Sequence, residues 1–153
     1  MTVLIRRGRI EKPQSPEAAG APPDATGLAE AGPAAAEAGA TDDVLRLEPR
    51  DDPAKIAHRL GAVDRVEVNF PSFTDGRGYS IARLLRERHG YRGELRAVGD
   101  VQRDQLFYLA GCGFDAFLLR DGEDAQAALA ALHDFSEAYQ ASVERPQPLF
   151  RRR

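Results

Sequence analysis

Residues 65–80, RVEVNFPSFTDGRGYS, constrain the fold more than any other stretch, because they read in order as strand, turn, glycine loop and helix start. Val66, Val68 and Phe70 alternate with Glu67 and Asn69, the period of two expected of a strand with two chemically different faces. The run Asp75-Gly76-Arg77-Gly78 frees the backbone for a sharp turn, and Asp75 or Ser80 offers a capping oxygen to the helix that follows. Free N–H groups and the helix dipole converge at such a loop, which makes it a candidate anion site.

The rest of the ordered chain repeats this unit. Leu45 and Leu47 alternate with Arg46 and Glu48, and Asp52-Pro53 is a helix start with proline where its missing N–H costs nothing. Ile56, Ala57 and Leu60 share one face of that helix, which Gly61 stops. A second helix, over 79–89, turns Ile81, Leu84 and Leu85 inward and Arg83, Arg86 and Glu87 outward. ELRAVGD is a third strand, and a helix over 102–110 is apolar on most sides, which implies burial or cover by another chain. FDAFLL, 114–119, is a fourth strand. A last helix from 124 carries Ala128, Leu129, Leu132, Phe135 and Tyr139 as one apolar stripe.

Four strands alternating with four helices describe an α/β domain of four consecutive βα units with a parallel sheet. One strand face collects Leu45, Leu47, Val66, Val68, Leu95, Ala97, Phe114, Ala116 and Leu118; the other collects Arg46, Glu48, Glu67, Asn69, Arg96 and Asp115 with Val98, Phe117 and Leu119. A sheet covered by helices on both sides is apolar on both, so the polar face argues for a half-TIM-barrel-like arrangement with helices on one side. Such a half-barrel implies that a second copy or another protein covers the inner face. The alternative is that Glu67, Arg96 and Asp115 form a solvated ion-pair layer.

Outside this domain, assigned to 43–140, the text changes. Residues 11–42 are alanine, proline, glycine and acid, with Leu28 as their single large aliphatic residue, too little apolar surface to offset the entropy of ordering. The reading is a flexible arm over 1–42, with a hairpin turning at Arg7-Gly8 as an option, and a flexible basic tail over 141–153. The net charge of -3 argues against nucleic acid held by overall charge. A single cysteine, Cys112, excludes a disulfide framework within one chain. With no apolar run near the roughly 20 residues that span a bilayer, and charge placed after the first apolar residues, the expectation is a cytoplasmic protein without membrane contact.

Ligands of parallel α/β domains sit at the carboxyl ends of the strands. That rim gathers the loops 49–53, 71–78, 99–102 and 120–124. An oxyanion there would be held by the Gly76 and Gly78 amides, Thr74, Ser80 and Arg120, with Arg77 as a guanidinium clamp and Asp100 or Asp75 as acid/base. The plainer reading is that Asp75 caps the helix and the glycines make the turn. Cys112, at a helix end where the dipole raises a thiol pKa, reads as packing. His58, His89 and His133 are not spaced with other ligands, so no metal site is expected, and no dinucleotide, flavin or iron–sulfur motif points to a cofactor.

The segment NFPSFTDGRGYSIARLLRERHGYRGELRAVGDVQRDQLFYLAGCGFDAF, 69–117, closely resembles the bacterial family known as domain of unknown function 934, and the likeness runs on to DFSEAYQ at Gln140. Members of that family are often labelled oxidoreductases of sulfite reduction, because their genes lie beside those for sulfite reductase and phosphoadenosine phosphosulfate reductase. The resemblance implies an accessory protein of assimilatory sulfite reduction, working as a homodimer or with a sulfite reductase subunit, and a small oxyanion at the glycine loop. It carries over no catalytic residues. Two other readings of the same rim stay open: a small stand-alone enzyme for an anionic or phosphorylated substrate, and a non-catalytic scaffold.

Overall fold

The computed structural model describes residues 2–11 and 44–152 as a six-stranded sheet with four α-helices. In chain order these are β1 (Val3–Arg6), β2 (Arg9–Glu11), β3 (Val44–Leu47), α1 (Pro53–Ile56), β4 (Arg65–Phe70), α2 (Arg77–Glu87), β5 (Glu94–Gly99), α3 (Leu106–Gly111), β6 (Ala116–Leu119) and α4 (Ala125–Ala131). The strand order is β2-β1-β6-β5-β4-β3. Neighbours from β3 to β6 pair in parallel, whereas β1 lies antiparallel to β6 and to β2. The hairpin option is therefore realised: Arg7 and Gly8 both take positive φ at its turn, and β1 covers the edge that β6 would otherwise expose. The remainder of the expected arm, 12–42, lies outside the described residues.

Local sequence explains most boundaries. The Asp52 side chain accepts from the Ala54 N–H at 2.9 Å and Pro53 opens α1, which tightens into a 3-10 stretch, Ala57–Ala62. In β4 every second residue is buried, as its alternation requires. Gly90, at φ +64, ends the turn after α2. The last helix stops early. Asp124 caps it through the Gln126 and Ala127 N–H groups, but after Ala131 the chain turns through bonds from His133 N–H to Ala130 and from Asp134 N–H to Ala131. Phe135 and Tyr139, expected on a buried stripe, are exposed.

Register corrects one strand face. Val66 pairs with Leu95 and Val68 with Ala97 as expected, but Ala97 lies opposite Phe117 and Arg96 opposite Ala116. Phe117 and Leu119 thus belong with the apolar face, and Ala116 and Leu118 with the polar one. AFLL is apolar at every position, so its sequence held no phase to read. Asp115 moves with this shift. Instead of joining Glu67 and Arg96, it lies just before β6 and pairs with Arg86 of α2.

The main core joins Leu47, Val66, Val68, Leu95, Ala97 and Phe117 of the apolar face to side chains of the helices, among them Ile81, Leu85, Leu106, Leu109 and Ala128. Buried residues of the opposite face, Leu4, Val98 and Ala116, stand outside that cluster. The opposite face carries a row of charges, in which Arg96 pairs with Glu94 at 2.7 Å and Glu67 at 3.6 Å, Arg65 with Glu67 at 3.5 Å, and Arg6 with Glu94. Ala116 is small enough for Arg6 to reach across β6. This is not a solvated layer, since the side chains of Glu94 and Arg96 are only 6% and 11% exposed.

Candidate functional site

The carboxyl ends of β4, β5 and β6 form a rim tied together by one carboxylate. Asp100 follows β5 at a turn that only glycine fits: Gly99 has φ +98, and a Cβ there would collide with the Phe70 carbonyl. The Asp100 N–H donates to that same carbonyl at 2.8 Å. Its side chain accepts from the Phe73 N–H at 2.9 Å and from the Arg120 guanidinium at 3.4 Å. The expected acid/base residue is thus the latch that joins the glycine loop, the end of β5 and the end of β6.

Gln105, which sequence reasoning missed, is the second latch. It is buried and leads into α3, with its side-chain oxygen accepting from the Gln102 N–H at 3.0 Å in a capping box. Its amide donates to the Tyr79 hydroxyl at 3.0 Å and the Phe73 carbonyl at 3.4 Å. A glutamine three residues after Gln102 was the available signal. Burial raises the Tyr79 pKa above its ordinary value, with the Gln105 bond opposing the shift.

In the glycine loop the charges are already matched. Asp75 accepts from the Arg77 guanidinium at 2.6 and 2.9 Å and from the Arg77 N–H at 3.2 Å. These bonds, the side-chain ones foremost, hold the Asp75 carboxyl down at about 2 and raise Arg77. A carboxylate so acidic is a weak base near neutral pH. Gly78 is accounted for by packing: a Cβ there would stand 2.5 Å from the Phe70 ring, which itself contacts Tyr79 and Phe114 with ring centroids 5.3 and 5.9 Å apart. Gly76 precedes α2, Ser80 is exposed on its first turn, and the Thr74 hydroxyl bonds to that of Ser72 at 3.0 Å. Arg77 and Arg120 each pair with a different carboxylate, Asp75 and Asp100.

Of the other candidates, Asn69 donates to Glu48 at 2.7 Å just below the rim, while Glu67 and Arg96 lie deeper in the charged row. Asp115 is at the opposite end of the sheet. Cys112 is buried, and burial raises its thiol pKa, in keeping with a packing role. Among the described residues no three metal-ligating side chains cluster, and no helix is long and apolar enough to cross a membrane. A cavity of about 420 Å³, bordered by Arg6, Arg7, Arg9 and Glu11, opens at the hairpin, away from the rim.

Beside its matched charges the rim presents aromatic surface. Phe73 is 42% and Tyr108 61% exposed, and Tyr108 packs on Tyr79 with ring centroids 5.1 Å apart. Gln105 holds both the Phe73 backbone and Tyr79, so the three aromatic residues share one support.

The family model DUF934, a bacterial protein of unknown function, matches residues 44–150. No curated protein and no solved structure matches the chain.

Proposed function

The chain belongs to the DUF934 family, and from the geometry of its rim we propose that it is an accessory protein of assimilatory sulfite reduction, acting by docking to the reductase rather than by binding substrate. One observation carries the docking half of this reading: exposed Phe73 and Tyr108 stand beside a loop whose charges are matched within the chain. Groups that must clamp an oxyanion need uncommitted donors, and Arg77 spends its best two on Asp75. Exposed aromatic residues on a rigid support are instead what protein interfaces use as anchors. The identity of the partner rests on the sulfite-reduction label attached to the family.

We read the sheet as a half-barrel of four βα units, a view supported by the single core that the helices share with one face. The charged row then takes the place of a barrel interior. The rim is the end of that architecture where partners and ligands gather.

Isothermal titration of the full chain into purified sulfite reductase tests the proposal. Saturable binding is expected, weakened at least roughly tenfold by Phe73→Ala with Tyr108→Ala, with Arg77→Ala nearly silent. Absence of binding, or binding indifferent to the aromatic pair, defeats it.

A further inference from the structure

The hairpin that covers the β6 edge is built around arginines. Arg6 and Arg9 stand directly opposite each other across its turn, a placement in which like charges repel. Between them Arg7 has φ +48, the one positive φ outside glycine among the described residues, and Gly8 follows at φ +72. A turn with positive φ at both central residues favours asparagine before glycine, so arginine is kept there against backbone preference. Residues held in this way gather at ligand clamps.

The charges here are not matched as they are in the glycine loop. Arg6 is answered by Glu94, whereas Arg7 and Arg9, both exposed, have no ion pair among the described residues. In the hairpin and the adjoining row, Arg6, Arg7, Arg9, Arg65 and Arg96 outnumber Glu11, Glu67 and Glu94, a local positive surplus in a chain whose net charge is -3. The cavity of about 420 Å³ that Arg6, Arg7, Arg9 and Glu11 border has a size within the roughly 300–1,000 Å³ of small-molecule sites.

We propose that this cavity binds a phosphate monoester of a small molecule bearing hydroxyl or amine groups. Guanidinium forks match the oxygens of a phosphate in two-point geometry, and a monoester is close to a dianion at neutral pH. The cavity exceeds what a bare phosphate fills, which leaves room for the organic part. Glu11, an acceptor only, takes a hydroxyl or ammonium of that part and repels a second anionic group, so the site selects against polyphosphates. The hairpin lies away from the rim, and the site is independent of the docking proposed there.

Titration of glucose 6-phosphate into the ¹⁵N-labelled full chain, followed at the amides of 6–11, tests this. Saturable shifts are expected there, with weaker binding of inorganic phosphate and none of glucose. Arg7→Asn suits the left-handed turn and removes a guanidinium; it should raise the dissociation constant at least roughly tenfold, with thermal unfolding no earlier than in the wild type. Arg9→Gln weakens binding as well. Glu11→Ala weakens the ester but not inorganic phosphate. Arg59→Gln, at an exposed position in the 3-10 stretch after α1, leaves binding unchanged. The proposal is overturned by non-saturating shifts with both the ester and inorganic phosphate, by inorganic phosphate binding as tightly as the ester, by binding indifferent to Arg7→Asn, or by an equal loss in Arg59→Gln.

Discussion

Two arginine–carboxylate pairs mark the two ends of the sheet, and they do opposite work. At the carboxyl end Arg77 grips Asp75, two residues away, on an exposed loop. At the amino end Arg86 reaches Asp115, 29 residues away, and is nearly buried while also donating to the carbonyls of Tyr91, Gly93 and Gly113 at 2.8, 2.9 and 2.9 Å. The first pair neutralises a loop; the second fastens α2 to the start of β5 and β6. Charge in the glycine loop is therefore a local convenience, whereas charge at the base is a tertiary tie.

The sharpest way to break this contrast is Arg86→Ala. It would leave Asp115 and three carbonyls short of a donor, and a loss of about 3 kcal/mol in urea unfolding is expected. A loss no larger than that of an ordinary surface substitution would put the two ends on the same footing. Gly78→Ala comes next, since its Cβ would press on a Phe70 ring that is fully buried. Overpacking of that kind costs about 1–3 kcal/mol, and an unchanged midpoint would reopen a ligand-binding reason for the glycine. Gln105→Ala removes bonds to Gln102, Tyr79 and Phe73. A loss of about 1–2 kcal/mol, with faster amide exchange at Phe73, would show that Gln105 props the aromatic surface.

The smallest effect belongs to Arg77→Ala, which should lower the unfolding midpoint only slightly at neutral pH, because the pair is exposed and screened. Its signature is in titration. Asp75 titrates below its unfolded value near 3.9, so its stabilisation is complete above about pH 4 and fades as the pH falls toward about 2. Carboxyl carbon shifts should give about 2 in the wild type and a return toward the ordinary value in the variant; an unmoved pKa would show that Asp75 is held by something else.

The sequence made the rim legible because its signals are local. The alternation of β4, the proline after Asp52 and the glycine punctuation after β4 and β5 each depend on a few neighbouring residues, and the structure follows them. What stayed hidden depends on distance. Arg86 sits at an outward-looking helix position, yet its long side chain turns to carbonyls in the following loop, a choice no helical period encodes. The phase of β6 is set by its neighbours β5 and β1, not by AFLL itself. The end of α4 was misplaced for a similar reason: the stripe through Phe135 and Tyr139 is helical in spacing, but Phe135 packs on Phe107 and Tyr139 on Phe150 after the chain has turned. Asp100 was legible by its place on the rim, whereas the bonds it accepts from Phe73 and Arg120 were not, because those partners lie 27 residues before it and 20 after it.

The central claim, that the rim meets a protein surface and not an anion, is tested most directly by titrating sulfite into the ¹⁵N-labelled full chain and following the amides of Gly76, Arg77 and Gly78. The account predicts only small, linear, non-saturating shifts, equal in wild type and Arg77→Ala. Saturable shifts at those three amides that disappear in Arg77→Ala would contradict it.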